Sequence, residues 1–175
     1  GLALLWIAWE FLPECRWSFS LEALAIGILV CVVWVGLDPY VPSQHELMVR
    51  FGLSKPKPTP ELPWNPHAFF GDGSALAWFF IAVRILGSSL VVPPLEEAFY
   101  RSFLYRSIAS AEFDKFPLNR FHPLGFVATA VIFGASHNEW LAGILCAMAY
   151  QWLALRRGHV GDAMTAHAIT NEIGR

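Results

Sequence analysis

Charge is what this chain has least of. Asp, Glu, Lys and Arg make up 15% of its 175 residues, against 55% hydrophobic, where a soluble domain carries about 25% charged residues. That deficit excludes an ordinary soluble enzyme and places the chain among integral membrane proteins. The net charge of −2 gives no sign of a nucleic-acid partner, and none is expected. Cysteine is sparse too. Cys15, Cys31 and Cys146 are far apart, odd in number and without a CxxC, which excludes a disulfide framework or a zinc knuckle and leaves them as small buried hydrophobes. The helical zinc-protease pattern H-E-x-x-H is missing. His137-Asn138-Glu139 is followed by no P-C-x-x-C, as a zinc deaminase would require, and Gly134-Ala135-Ser136 is not a G-x-S-x-G elbow. No basic segment or cleavage site precedes Leu2, so no signal peptide is read. A chain opening on Gly1 is expected to be a piece of a longer protein.

Apolar runs are present instead. A membrane-spanning helix needs about 20 mainly apolar residues. Residues 2–12 are too few, whereas 21–37 and 75–92 read as spans, the latter interrupted only by Arg84. The connection 38–74 holds seven prolines, and Pro56, Pro58 and Pro60 forbid regular helix there. Pro93-Pro94 is expected to end one helix and start another, running to about Ser110. Apolar helices follow at 121–137 and 140–155, the latter closed by Arg156-Arg157-Gly158, and a shorter one at 160–173. With no repeat and no strand alternation, the fold class is all-α: a polytopic membrane helix bundle of about six to seven helices. In this reading Arg50, Lys55, Lys57, Arg106, Lys115, Arg120, Arg156 and Arg157 fall in alternate connections, which the positive-inside rule makes cytoplasmic. Glu96, His137, His167 and Asn171 then share a depth toward the other side.

The stretch Glu96-Glu97-Ala98-Phe99-Tyr100-Arg101 contradicts this apolar background. Each ionisable group at membrane depth costs roughly 3 kcal/mol even on the mildest scale, so three together call for a use. Glu97 and Arg101 are four apart and share a helix face. Glu96 is rotated about 100° away and free to face the bundle interior as a general base. If Pro93-Pro94 starts the helix, its dipole favours both carboxylates. The plainer reading is a buried ion pair. His137 follows Phe133 by four at a helix end, where a polar cap is the plainer role. His167 and Asn171 are four apart and can aim at one point, as an oxyanion or substrate carbonyl needs; interhelical hydrogen bonding is their plainer role. His45, His67, His122 and His159 read as interfacial or solvated.

Glu96-Glu97-x-x-x-Arg101, Phe133-x-x-x-His137 and His167-x-x-x-Asn171, in this order, resemble the motif triplet of the CAAX prenyl endopeptidase and bacteriocin-processing (CPBP, or Abi) intramembrane proteases. Residues 94–106 are similar to bacterial CAAX protease-related members, some of which occur with exosortase sorting systems. The resemblance implies a membrane endopeptidase in which Glu96, assisted by His137, activates water, His167 and Asn171 hold the oxyanion, and Glu97 and Arg101 orient the site. It makes residues 75–175 the protease core and 1–74 an N-terminal region of membrane helices with a Pro-rich connection. The implied partners are a membrane-anchored peptide or protein substrate, the lipid bilayer and an exosortase-type system; the implied location is a bacterial inner membrane. No cofactor is favoured, although Glu96, His137 and His167 would suffice for zinc. A non-catalytic scaffold using the same polar cluster is the other reading.

Overall fold

A computed structural model describes residues 13–57 and 64–173. Seven helices build it: α1 (Leu21–Leu37), α2 (Gln44–Arg50), α3 (Pro66–Phe70), α4 (Ala75–Ala109), α5 (Pro123–Ala135), α6 (Trp140–Arg157) and α7 (Gly161–Ile173). No strand occurs among the described residues, so the expected all-α bundle is what forms. The expected run 2–12 lies outside the described residues. Among the described residues one helix, α4, is long and apolar enough to cross a membrane; α1 and α5 are apolar but shorter.

Local chemistry sets the helix ends. Ser20 Oγ caps α1 by accepting from Ala23 N at 3.0 Å. His122 Nδ1 does the same for α5, accepting from Gly125 N at 3.1 Å ahead of Pro123 at the first helical position. Gly158 ends α6 with φ 71° and donates its N–H to Ala154 O, the left-handed cap that glycine adopts without strain.

The helices approach closely where side chains vanish. A Cβ on Gly27 of α1 would lie 2.7 Å from Ala166 O of α7. One on Gly134 of α5 would lie 2.6 Å from Trp140 O of α6. Around these contacts the core gathers Ala23, Val30, Phe133, Ala147, Tyr150 and Leu153. All three cysteines are buried and free, as small hydrophobes would be.

Pro93-Pro94 does not divide the chain into two helices. Helix α4 runs 35 residues straight through the pair, about 52 Å at 1.5 Å per residue. A π turn at Gly87–Val91 precedes the prolines, and Val92 donates its N–H five residues back to Gly87 O. The wider turn relieves the clash between a proline ring and the carbonyl four residues earlier. Hydroxyls supply further hydrogen bonds: Ser88 Oγ donates to Arg84 O and Ser89 Oγ to Ile85 O, each at 2.8 Å. Pro93 has no N–H to offer Ser88 O, and that carbonyl accepts instead from Asn171 Nδ2 at 3.0 Å.

A continuous α4 changes which ends of the bundle the connections share. Gln44 N donates to Asn138 O at 2.7 Å and Trp140 Nε1 to Pro42 O at 3.1 Å, so the start of the 38–74 connection sits at the His137 end. Arg106 pairs with Glu14, and Arg156 and Arg157 pair with Glu22, at the opposite end. The expectation that 38–74 shares a side with those arginines is corrected. Its physical reason is the π turn, which removes one reversal of direction. Arg106, Arg156 and Arg157 still gather at the end away from His137.

Candidate active site

Helix α4 carries a buried ion pair one turn long. Glu97 and Arg101 are both fully buried, and Glu97 Oε2 lies 3.0 Å from Arg101 Nε. No other described side chain offers the guanidinium an acceptor. It rests among aromatic faces, its carbon 4.6 Å from the Phe133 ring centre, 5.6 Å from Tyr100 and 5.8 Å from Tyr150. A delocalised, weakly hydrated cation suits such a nest better than an ammonium would.

The second oxygen of Glu97 reaches α7. His167 Nδ1 is 2.9 Å from Glu97 Oε1. A carboxylate only accepts, so Nδ1 bears the proton there. Nε2 therefore accepts in the neutral ring and donates only as imidazolium. It lies 3.8 Å from Glu96 Oε2. The Tyr150 ring stacks on the imidazole at 5.2 Å and 25°, and Tyr150 Oη donates to Thr170 Oγ1 at 2.7 Å. Arg101, Glu97 and His167 thus form a buried chain with its outer nitrogen turned to Glu96.

Glu96 differs from its neighbour in exposure and in lacking a close pairing with Arg101. Its side chain is 32% exposed, and its Oε2 has no hydrogen-bond partner among the described residues. The helix dipole does not account for its placement, as a helix start at Pro93 would have allowed, because Glu96 stands mid-way along a continuous α4.

His137 lies two residues past the end of α5, in the turn to α6, and not within the helix expected for 121–137. The four-residue relation to Phe133 survives as a hydrogen bond: His137 Nδ1 is 2.8 Å from Phe133 O. A carbonyl cannot donate, so Nδ1–H is the donor and Nε2 of the neutral ring keeps its lone pair. The ring stacks on Phe133 at 4.4 Å and meets the edge of Trp34 at 5.7 Å.

Glu96, His137, His167 and Asn171 line one cavity of about 270 Å³. All four were singled out from the sequence, and the fold draws them together from α4, the α5–α6 turn and α7. Glu97 and Arg101 lie behind the wall. Asn171 has committed one N–H to Ser88 O, which leaves its second for the cavity. Trp34, Cys146, Tyr150 and Thr170 also line it, with Val92 and Phe133, and were not anticipated there. No motif marked Trp34 or Tyr150, and Cys146 reads from sequence only as a buried hydrophobe. Among the described residues no three His, Cys, Asp or Glu side chains are grouped as a metal would need, so the zinc alternative finds no assembled ligand set.

A family model described as type II CAAX prenyl endopeptidase Rce1-like matches residues 77–173, the part of the chain that contributes every one of these polar groups. No curated protein and no solved structure gives a significant match.

Proposed function

The chain belongs to the Rce1-like type II CAAX prenyl endopeptidase family, and on that premise we propose that it is a glutamate-dependent intramembrane endopeptidase. Its substrate is a membrane-associated protein or peptide, cut near the membrane surface. Glu96 takes a proton from water as the oxygen attacks the scissile carbonyl carbon. His137 Nε2, with its lone pair free, accepts the water's other hydrogen bond. The tetrahedral oxyanion accepts from His167 Nε2–H, when the ring carries both protons, and from the second N–H of Asn171. Glu96 then passes its proton to the leaving nitrogen as the C–N bond breaks. Glu97 and Arg101 hold His167 and the helix face in place.

The observation that carries this reading is the contrast between the two glutamates. Glu97 has both oxygens engaged by Arg101 and His167. Glu96 is one-third exposed and lines the cavity, which Glu97 does not. A purely structural ion pair needs only Glu97.

The experiment is cleavage of co-expressed, membrane-anchored reporter proteins from a randomised juxtamembrane library, by the wild type and by Glu96→Gln and His137→Ala. Glu96→Gln should abolish cleavage, and His137→Ala should reduce it at least a hundredfold, both with normal membrane levels. Cleavage by Glu96→Gln at the wild-type rate would remove Glu96 as the base. Chelator-sensitive cleavage restored by zinc would replace this mechanism with a metal-dependent one.

A further inference from the structure

The family match begins at residue 77, yet the turn that carries His137 is held from well before it. The last four carbonyls of any helix lack intrahelical donors. At the end of α5, Phe133 O is met by Ser136 Oγ at 2.7 Å and His137 Nδ1 at 2.8 Å, and Gly134 O by His137 N at 3.0 Å. Ala135 O accepts from the side chain of Gln44, whose Nε2 lies at 3.2 Å. The first N–H groups of α2 have the converse need. Gln44 N donates to Asn138 O at 2.7 Å and His45 N to Asn138 Oδ1 at 3.3 Å. Ser43 and Glu46 close the remainder with a capping box. Each helix end therefore caps the other. Gln44 donates from its side chain to Ala135 O and from its backbone to Asn138 O, the residues on either side of the Ser136-His137 pair.

We propose that this reciprocal cap positions His137, making Gln44 a positioning residue for the reaction and α2 part of the functional unit. Four residues, Ser136–Glu139, join α5 to α6, and none is glycine. The Nδ1–H to Phe133 O bond that leaves the Nε2 lone pair for the cavity survives only while this turn keeps its course. Gln44 ties the turn to a second element at its start, and Asn138 ties it at its end. Trp34 of α1 adds an edge contact to the ring itself. The inference rests on His137 acting in the proposed reaction, but its structural content is read without any substrate.

The test uses the full chain in nanodiscs, with ¹⁵N-labelled histidine and resonances assigned by single substitution. Nitrogen shifts report which ring nitrogen of His137 bears the proton. The wild type should show one neutral tautomer, protonated on Nδ1. Gln44→Glu keeps the size but offers no donor, and should give a mixture of tautomers. Gln44→Lys restores a donor within reach of the Ala135 carbonyl and should return the single tautomer. If Gln44→Glu does not accumulate folded, Gln44→Ala removes the donor without a charge and carries the same expectation. Identical His137 spectra in the wild type, Gln44→Glu and Gln44→Ala, or a wild type protonated on Nε2, would overturn the proposal. Loss of the protease reading would show instead as cleavage that survives Glu96→Gln, an outcome that leaves these spectra unaffected.

Discussion

Two adjacent glutamates of the same chemistry should respond very unequally to the same substitution. Glu97→Gln removes the charge that balances Arg101, a guanidinium with no exposed surface and no other acceptor among the described residues. Breaking one side of a buried pair costs about 3 to 5 kcal/mol, because the remaining charge stays buried. The lower figure applies here, since the amide oxygen still accepts from His167 Nδ1 and the rings of Phe133 and Tyr150 remain around the cation. For a chain of this length about 1 kcal/mol moves the midpoint by roughly 2 to 4 °C, so Glu97→Gln should lower it by about 6 to 12 °C. Glu96→Gln alters a side chain that is 32% exposed with one oxygen already unpartnered. Its stability should change by no more than about 0.5 kcal/mol, as for surface substitutions, and the midpoint by about 2 °C at most. The assay is thermal unfolding of the purified protein in one detergent at one scan rate, followed by the fluorescence of its eight tryptophans. Equal midpoints for the two variants, or a larger drop for Glu96→Gln, would refute the division into a structural and a free carboxylate.

Two further outcomes follow from the packing and the caps. Gly134→Ala places a Cβ 2.6 Å from Trp140 O and 3.0 Å from Ile144 N; both are backbone atoms, so α6 must move. The cost should be about 1 to 3 kcal/mol, read by the same unfolding assay, and the variant should also disturb His137 in the adjoining turn. Glu46 is held below its ordinary pKa of 4.5 by the backbone N–H of Ser43 and then by the Ser43 hydroxyl. Its contribution to α2 is therefore complete above pH 4.5 and is lost as pH falls through the lowered value. Hydrogen exchange, corrected for intrinsic rates, should show protection of residues 43–47 unchanged down to pH 4.5 and falling as the pH passes through the lowered value. In Glu46→Gln that protection should be independent of pH.

The candidate site was legible in the sequence wherever it depends on spacing within one helix. Glu97 and Arg101 pair because four residues bring them back to one face, a relation that holds although Ala98–Leu104 winds as a π-helix. Phe133 and His137 kept their relation even though His137 left the helix, because a ring nitrogen reached the orphan carbonyl four residues back. Contacts across many residues left no such trace. Nothing about Trp34 or Tyr150 marks them as cavity walls, and Gln44 in a proline-rich connection gives no sign that its amide caps a helix 91 residues later. Pro93-Pro94 misled for a physical reason. The rule that proline ends a helix assumes α-helical register, and a π turn with two serine hydroxyls and Asn171 from α7 supplied what that register could not.

Composition and local periodicity by themselves determined that this chain is all helical and which carboxylate pairs with Arg101. These are consequences of hydrophobic content and of 3.6 residues per turn, which act over a handful of neighbours. Tertiary structure alone decided that His167 takes the second oxygen of Glu97, that Asn171 spends one N–H on Ser88 O, and that α4 continues through its prolines. It also decided that the start of the 38–74 connection lies beside His137. Each depends on which unpaired donor or acceptor finds a partner on another helix, and a buried polar group accepts whatever the packing brings within 3 Å.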